Sequence, residues 1–433
     1  MQFTAEVFDQ VQRSFDVNGF NDHQLHCVLR FGPGPGPDAR ILGKAVIASI
    51  EAIPILGARY IDGAKPHWES LDRADFARAF TVAQTEADLE AVLVAPSDEG
   101  RGPQVKVCLL DARPAAIAVT LNHMVCDAAG FKSYLYTLSA IYTELTADRV
   151  YAPRAVTGER SIRSVLEHFG FGTKLKSLFL QSEDNNQTGD RRFPLSEGET
   201  DRPFIVTRRL AGERTAPVKA YSRACGATLN DLALTAFYRS LFLYLGLRPG
   251  ERLAVPVMVD MRRYLENRGE FTALTNLTSM VATQLDYRPE EPFAGTLRRV
   301  KAEMDAKKGA DIGLNAFVKL DLLFRICGDR IANARLRTRL KNPLICMTNV
   351  GSLDEARLAF AGLRPSEAYL CGSIKYKPYF QLALSTYRDE LTFSINQYGS
   401  GGDRERIHAF LRDVEAQLPI VASSATASAT APA

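Results

Sequence analysis

Residues 116–145 read AIAVTLNHMVCDAAGFKSYLYTLSAIYTEL, and this stretch decides the fold. Its first six residues are apolar and rich in β-branched side chains, which predicts a strand buried on both faces. From Phe131 to Leu145, large apolar side chains recur at steps of three and four, which predicts an amphipathic helix. Between the two, His123 stands at a strand end and Asp127 follows four residues later. Small residues after Asp127 allow the backbone to approach closely, so we interpret this segment as a catalytic turn.

Composition narrows the class of protein. The chain has 433 residues, 46% of them hydrophobic and 24% charged, which indicates a globular protein with room for two cores. A formal charge of +3 does not favour a nucleic-acid binder, which needs a concentrated basic face. No apolar run approaches membrane-spanning length, and the N-terminus does not resemble a secretory signal. The seven cysteines lack CxxC spacing, so we expect reduced thiols and a cytoplasmic protein.

The chain divides into two parts that each mix strands and helices. A polar stretch at residues 181–202 predicts a linker between an N-terminal lobe (1–180) and a C-terminal lobe (203–421), followed by a disordered tail (422–433). Predicted strands lie at 24–31, 104–110, 116–121, 204–210, 253–259, 276–285 and 344–349, with a hairpin around the turn at 388–390. Predicted helices follow Asp38, the catalytic turn and Ser161, and cover 228–245, 298–308, 335–341 and 407–418.

The spacing His123-x-x-x-Asp127 resembles the HxxxD signature of the chloramphenicol acetyltransferase-like superfamily. That group includes nonribosomal peptide condensation domains, wax-ester synthases, polyketide-associated acyltransferases and plant BAHD acyltransferases. Other stretches resemble family landmarks in family order, and together they cover about residues 24–418: Ile53 to Leu56, Gly226 to Asp231, Val259 to Tyr264 and Thr348 to Gly351. The resemblance implies an α/β fold (α+β, with mixed sheets). It implies two chloramphenicol acetyltransferase-like lobes that form a pseudo-dimer, with an active-site tunnel that runs between them past His123.

The resemblance also implies a reaction. His123 would act as general base on a hydroxyl or amine, which then attacks a thioester carbonyl. The thioester, of coenzyme A or of a carrier-bound phosphopantetheine, would be a co-substrate, so we expect no tightly bound cofactor and no metal. The favoured function is an acyltransferase that makes an ester or amide in natural-product or lipid biosynthesis, including the possibility of a free-standing condensation enzyme.

Further site residues follow from the same resemblance. Spacing alone suggests that Asp127 orients His123, whereas in similar enzymes the aspartate points away and pairs with an arginine of the second lobe. Arg262 is the matching candidate and Arg263 the alternative. Candidates for contacting the substrate or its oxyanion are Asn276, Thr278, Ser279, Asn349 and Gly130.

The chain departs from the fuller HHxxxDG pattern at two positions. Asn122 replaces the first histidine, and an asparagine can hold a turn through hydrogen bonds. Ala128 replaces the glycine after Asp127, which would be costly if that position required a positive φ. Gly130 is expected to supply some of the missing flexibility.

Simpler interpretations exist for the same residues. His123 could be a core histidine, and Cys126 beside it suggests a nucleophile, although no third orienting partner is evident. A metal site at His123 and Asp127 lacks further ligands at suitable spacing, and His23-x-x-His26 is a poor chelate if extended.

The basic clusters at 298–308 and 335–341 are typical of solvated helix faces. The functional alternative is that they contact a phosphopantetheine, a coenzyme A phosphate or an acidic carrier protein. We expect a monomer whose partners are an acyl-CoA or acyl carrier protein as donor and an alcohol or amine as acceptor. The alternative class is a catalytically silent relative that binds a carrier protein or lipid.

Overall fold

The computed structural model describes residues 1–147, 151, 158–179, 191–197, 201–265, 273–308 and 311–419. The predicted tail and most of the predicted linker lie outside these residues. The strands are β1 (Gln2–Thr4), β2 (Gln24–Arg30), β3 (Ala58–Ile61), β4 (His67–Ser70), β5 (Phe80–Ala83), β6 (Val105–Leu110), β7 (Ala116–Asn122), β8 (Arg202–Leu210), β9 (Arg252–Asp260), β10 (Thr278–Asp286), β11 (Ile345–Leu353), β12 (Glu367–Cys371), β13 (Phe380–Tyr387) and β14 (Glu390–Gly399). The α-helices are α1 (Val7–Val17), α2 (Ala39–Ala52), α3 (Glu86–Val94), α4 (Ala128–Thr146), α5 (Arg163–Leu166), α6 (Phe171–Phe179), α7 (Gly212–Ala224), α8 (Leu229–Tyr244), α9 (Phe293–Lys307), α10 (Leu314–Arg339) and α11 (Gly401–Gln417).

The first lobe is built on a five-stranded sheet in the order β12-β2-β7-β6-β5. β7 is central and all of its residues are buried, as its continuous apolar run predicts. It pairs antiparallel with β2, where Gln24 lies opposite Asn122, and with β6. Helices α2 and α4 pack together in the main core of this lobe, and α3 contributes to a smaller cluster with side chains of β2, β6 and β7. The sheet therefore holds the C-terminal end of β7 in a fixed position.

The second lobe has a six-stranded sheet in the order β10-β9-β11-β13-β14-β8. Its strands are mixed: β11 runs parallel to β9 and β13, whereas β9–β10, β13–β14 and β14–β8 are antiparallel. Side chains from α8, α9 and α11 fill its core together with Phe380 and Phe393. The prediction of two lobes with mixed sheets is confirmed.

The lobes are interlocked by exchanged segments. Strand β12 comes from the second half of the chain, yet it pairs antiparallel with β2 in the first sheet. Just after it, Lys375 forms isolated β-bridges with Asn21 on one side and Gln397 on the other. The seam between the lobes is therefore crossed by backbone hydrogen bonds as well as by side chains.

A third cluster of buried side chains lies over the seam. It joins α1, α5 and α10 to Met261 and Leu277 of the second lobe. A small antiparallel sheet, β1-β4-β3, packs at the edge of the first lobe. Among the described residues, no helix is long and apolar enough to cross a membrane.

Candidate active site

The turn after β7 is held by its own polar side chains. Asn122 ends the strand, and its Oδ1 accepts a hydrogen bond from the Met124 N–H (2.8 Å) while its Nδ2 donates to Gln104 Oε1 (2.7 Å). The His123 N–H donates to the backbone oxygen of His23 (2.7 Å), the residue just before β2. This bond fixes the backbone of His123 beside the start of β2. The prediction that Asn122 holds the turn is confirmed.

Helix α4 begins directly after the turn. Asp127 is its N-cap, and the carboxylate accepts the Gly130 N–H at 3.1 Å. Ala128 is the first helical residue and is not among the residues with positive φ, so an alanine there carries no backbone strain. The departure from glycine at this position is therefore compatible with the turn.

The imidazole of His123 is oriented from both lobes. Its Nδ1 lies 2.9 Å from the Cys126 backbone oxygen and 3.1 Å from Asn276 Oδ1. The Asn276 amide cannot be reversed without loss, because its Nδ2 donates to the backbone oxygens of His123 (2.8 Å) and Met124 (3.1 Å). Both partners of Nδ1 are thus acceptors, so Nδ1 carries the hydrogen and Nε2 has the free lone pair.

The second ring nitrogen of His123, Nε2, differs from Nδ1 in its surroundings. His123 is partly exposed, and Nε2 has no hydrogen-bond partner among the described residues. Burial lowers the pKa of the His123 imidazole below its usual 6.5, against the opposite effects of the backbone groups of His123 and Cys126 and of the Asp127 carboxylate. The imidazole is therefore neutral at pH 7, the state in which it can accept a proton.

Asp127 does not face His123 but pairs with Arg262 in the second lobe. Arg262 Nη1 lies 2.6 Å from Asp127 Oδ2, and both side chains are almost fully buried. Burial alone would raise the pKa of Asp127, but the guanidinium and the N–H groups of Leu277 and Gly130 hold it below its usual value. The expected pairing of the two residues is present in the structure.

A short segment of the second lobe, residues 274–278, binds the catalytic turn, and we call it the docking segment. The Leu277 N–H (2.8 Å) and the Thr278 hydroxyl (3.0 Å) donate to Asp127 Oδ2, and the Asp127 N–H donates to the Thr275 oxygen at 3.3 Å. Arg262 Nη2 donates to the same Thr275 oxygen (2.8 Å). The docking segment therefore positions Asp127 and, through Asn276, the imidazole of His123.

Arg160 ties the docking segment to the first lobe and was not predicted from the sequence. Its Nη atoms form a forked pair with Asp9 (2.8 and 3.0 Å), and its Nε donates to the Leu274 oxygen (2.8 Å). Asp9 also accepts from Trp68 Nε1 at 2.9 Å. No local pattern marks Arg160, because its partners are distant in the sequence.

The other candidate residues have different surroundings. Ser279 Oγ donates to the Gly313 oxygen (2.8 Å), and Asn349 contacts Gly351 N (2.9 Å) and Asn230 (3.3 Å). Gly130 allows close packing, because a Cβ there would lie 2.7 Å from Cys126 Cβ. Since the Thr278 and Ser279 hydroxyls already donate to protein acceptors, a role for these residues as oxyanion donors stays a prediction.

The simpler chemistries find little support in the geometry. Cys126 is fully buried, and burial raises the pKa of its thiol well above the usual value, which keeps it protonated and unreactive. The described residues contain no cluster of three or more His, Cys, Asp or Glu side chains suited to a metal. His26 is fully buried, and its Nδ1 donates to the Leu93 backbone oxygen (2.9 Å).

Behind the catalytic turn lies a group of buried charges that sequence reasoning missed. His23 lies between Asp16 (3.5 Å) and Glu99 (3.3 Å); although burial opposes its charge, these carboxylates raise its pKa to about 9. Lys375 donates to Asn21 Oδ1 (2.8 Å), and burial lowers its pKa. Only the juxtaposition of remote segments creates this group, so no sequence signal could have revealed it.

Comparison with known proteins identifies solved structures that share the fold of this chain. No family model matches the sequence, and no curated protein matches it. Among solved structures, the trichothecene 15-O-acetyltransferase TRI3 from Fusarium sporotrichioides aligns with a TM-score of 0.71 and 14% identity over 96% of this chain and 94% of its own.

Two other similar structures widen the comparison. Polyketide synthase associated protein 5 from Mycobacterium tuberculosis aligns with a TM-score of 0.64 and 14% identity over 96% of this chain and 97% of its own. The first condensation domain of the CDA synthetase aligns with a TM-score of 0.64 and 15% identity, covering 97% and 98%. At these identities the likeness shows a shared fold: this chain has the chloramphenicol acetyltransferase-like fold of acyltransferases and condensation domains.

Proposed function

We propose that this protein, whose fold is shared with acyltransferases and condensation domains, is a thioester-dependent acyltransferase with His123 as general base. The observation that carries the proposal is the fixed tautomer of that residue. Nδ1 donates to the Cys126 backbone oxygen and to Asn276 Oδ1, and the unprotonated Nε2 at the seam of the lobes has no partner in the part of the chain that the structure describes. A neutral imidazole with a free lone pair is the form that general-base catalysis requires.

The reaction begins with binding of a thioester and a hydroxyl or amine acceptor at the seam. His123 Nε2 takes the acceptor's proton as its oxygen or nitrogen attacks the thioester carbonyl. The tetrahedral intermediate then collapses, the carbon–sulfur bond breaks, and the imidazolium returns the proton to the departing thiolate. General-base assistance of this kind contributes about 10²–10⁴ in rate.

The other residues act through His123. Asn276 and the Cys126 oxygen hold the ring and stabilise its charge while the proton is on Nε2. Asp127 and Arg262 are positioning residues, because their carboxylate and guanidinium bind each other and the docking segment. The acyl group would come from coenzyme A or from the phosphopantetheine of a carrier protein.

Two donor assays distinguish these possibilities. Purified protein is mixed with a labelled acyl-CoA panel or with an acyl-loaded carrier protein, each with a mixture of alcohols and amines, and products are identified by mass spectrometry. Transfer from one donor that depends on His123 supports the proposal. Partner binding without any transfer would instead support a catalytically silent binding module.

A further inference from the structure

Helix α6 presents large apolar side chains to water. Phe171, Leu175 and Phe179 are spaced four residues apart and therefore share one face of the helix. Their exposed fractions are 79%, 43% and 78%, so most of each aromatic ring lies outside the protein. The opposite side, with Ser177, is buried. An apolar face turned outward in this way is unusual and marks an interaction surface.

The neighbouring helix, α10, also exposes apolar side chains. α6 packs against α10, on which Leu322 and Ile326 lie one turn apart with exposed fractions of 37% and 72%. α10 belongs to the cluster that lies over the seam, where it packs with Met261 and Leu277. We call Phe171, Leu175, Phe179, Leu322 and Ile326 the exposed apolar set.

Basic side chains accompany the exposed apolar set. α6 carries Lys174 and Lys176 and has no acidic residue. In α10 the basic residues outnumber the acidic ones. Near Ile326 in sequence, Arg330 is exposed, whereas the exposed Arg325 lies 3.5 Å from the Asp321 carboxylate. A chain whose formal charge is only +3 thus concentrates positive charge where its apolar side chains protrude. That combination is typical of helices that lie in the interface of an anionic membrane.

We propose that the exposed apolar set binds the surface of an anionic phospholipid membrane, with its rings in the acyl boundary and its basic residues on the lipid phosphates. A second copy of the chain is a poorer occupant, because two such faces would bring like charges together. The rings of Phe171 and Phe179 project from α6, which suits insertion into a fluid layer. This inference goes beyond the proposed acyl transfer and does not depend on it.

The test is co-sedimentation of the full chain with vesicles of phosphatidylcholine alone or of phosphatidylcholine mixed with phosphatidylglycerol. We expect binding to the anionic vesicles, weakened by added salt because the charge attraction is screened. Phe171→Ser with Phe179→Ser should weaken that binding at least ~10-fold, since two rings lose their apolar burial. Lys174→Glu with Lys176→Glu should also weaken it, by ~10-fold.

Leu243→Ser is the matched control, because Leu243 is 63% exposed on α8, away from the exposed apolar set. This variant should bind as the wild type does, and equal thermal unfolding midpoints would show that all variants fold. The inference is overturned if the wild type stays in the supernatant with both vesicles, or if the double serine variant binds equally well. It is also overturned if the protein forms a dimer or a complex with an acidic protein and the double serine substitution abolishes that assembly instead of vesicle binding.

Discussion

Asn276 Oδ1 lies 3.1 Å from Nδ1 of His123, although the two residues are 153 positions apart and belong to different lobes. The same amide donates to the backbone oxygens of His123 and Met124. One side chain therefore fixes the turn and selects the tautomer of the imidazole. In the proposed mechanism, the ability of His123 to accept a proton therefore depends on how the second lobe docks against the first.

Replacing this amide by a carboxylate should change the basicity of His123. In Asn276→Asp the negative charge beside Nδ1 stabilises the imidazolium, so the pKa of His123 rises. Because the neutral ring is the active form in the proposed mechanism, the acidic limb of the pH–rate profile should move to higher pH. NMR titration of the histidine rings, with His123→Ala to assign the signal, measures the shift without substrate. Asn276→Ala lacks the charge and should show no such rise; an unchanged pKa in Asn276→Asp would contradict the assigned contact.

The buried pair of Asp127 and Arg262 should be expensive to break from one side. Asp127→Ala removes the buried carboxylate that pairs with the buried Arg262 guanidinium, so the free energy of unfolding should fall by about 3–5 kcal/mol, as measured by denaturant titration. The control is Asp260→Ala: Asp260 also contacts Arg262 (3.1 Å), but its side chain is 54% exposed. Its loss should cost no more than about 1 kcal/mol. Equal costs for the two variants would show that burial does not govern the pair.

Gly130 should not tolerate even one added methyl group. A Cβ at this position would lie 2.7 Å from Cys126 Cβ, so Gly130→Ala should destabilise the fold by about 1–3 kcal/mol despite the higher helix propensity of alanine. Gly401→Ala, at the first position of α11, has no neighbour within 4 Å and should be neutral or stabilising. Thermal or denaturant unfolding of both variants measures the difference. Stabilisation by Gly130→Ala would show that the turn is not closely packed.

His23 should make stability depend on pH above neutrality. Its pKa is about 9 in the folded chain against 6.5 for a free side chain, so the folded state holds the proton more tightly. This contribution is complete below pH 6.5 and is lost as pH rises towards 9, a change on the order of 3 kcal/mol. Between these pH values, the unfolding free energy of the wild type should fall more than that of His23→Gln. Parallel curves for the two proteins would contradict the ion pairs with Asp16 and Glu99.

Local pattern was enough to predict the strand and helix that carry the catalytic turn. β7 and α4 follow directly from an apolar run and a helical period, and the hairpin of β13 and β14 follows from alternation about its turn. The prediction failed where position depends on distant partners. The strand expected from Asn276 starts only at Thr278, because the preceding residues belong to the docking segment and bond to Asp127 and Arg262.

Other features of the structure have no local signal at all. β12 is a short strand whose place in the first sheet is decided by pairing with β2, more than 300 residues earlier. α7 was missed because it contains Pro217, which a sequence pattern treats as a helix breaker. The role of Asn276 in orienting His123 could not be distinguished from an oxyanion contact, since both need only a polar side chain at the seam.

The most direct test of the proposed function is the rate of acyl transfer by His123→Ala relative to the wild type, with the donor and acceptor that the mass-spectrometric assay identifies. Loss of the general base should lower the rate by about 10²–10⁴ while the unfolding midpoint stays close to that of the wild type. A folded His123→Ala protein that transfers the acyl group at the wild-type rate would contradict the account.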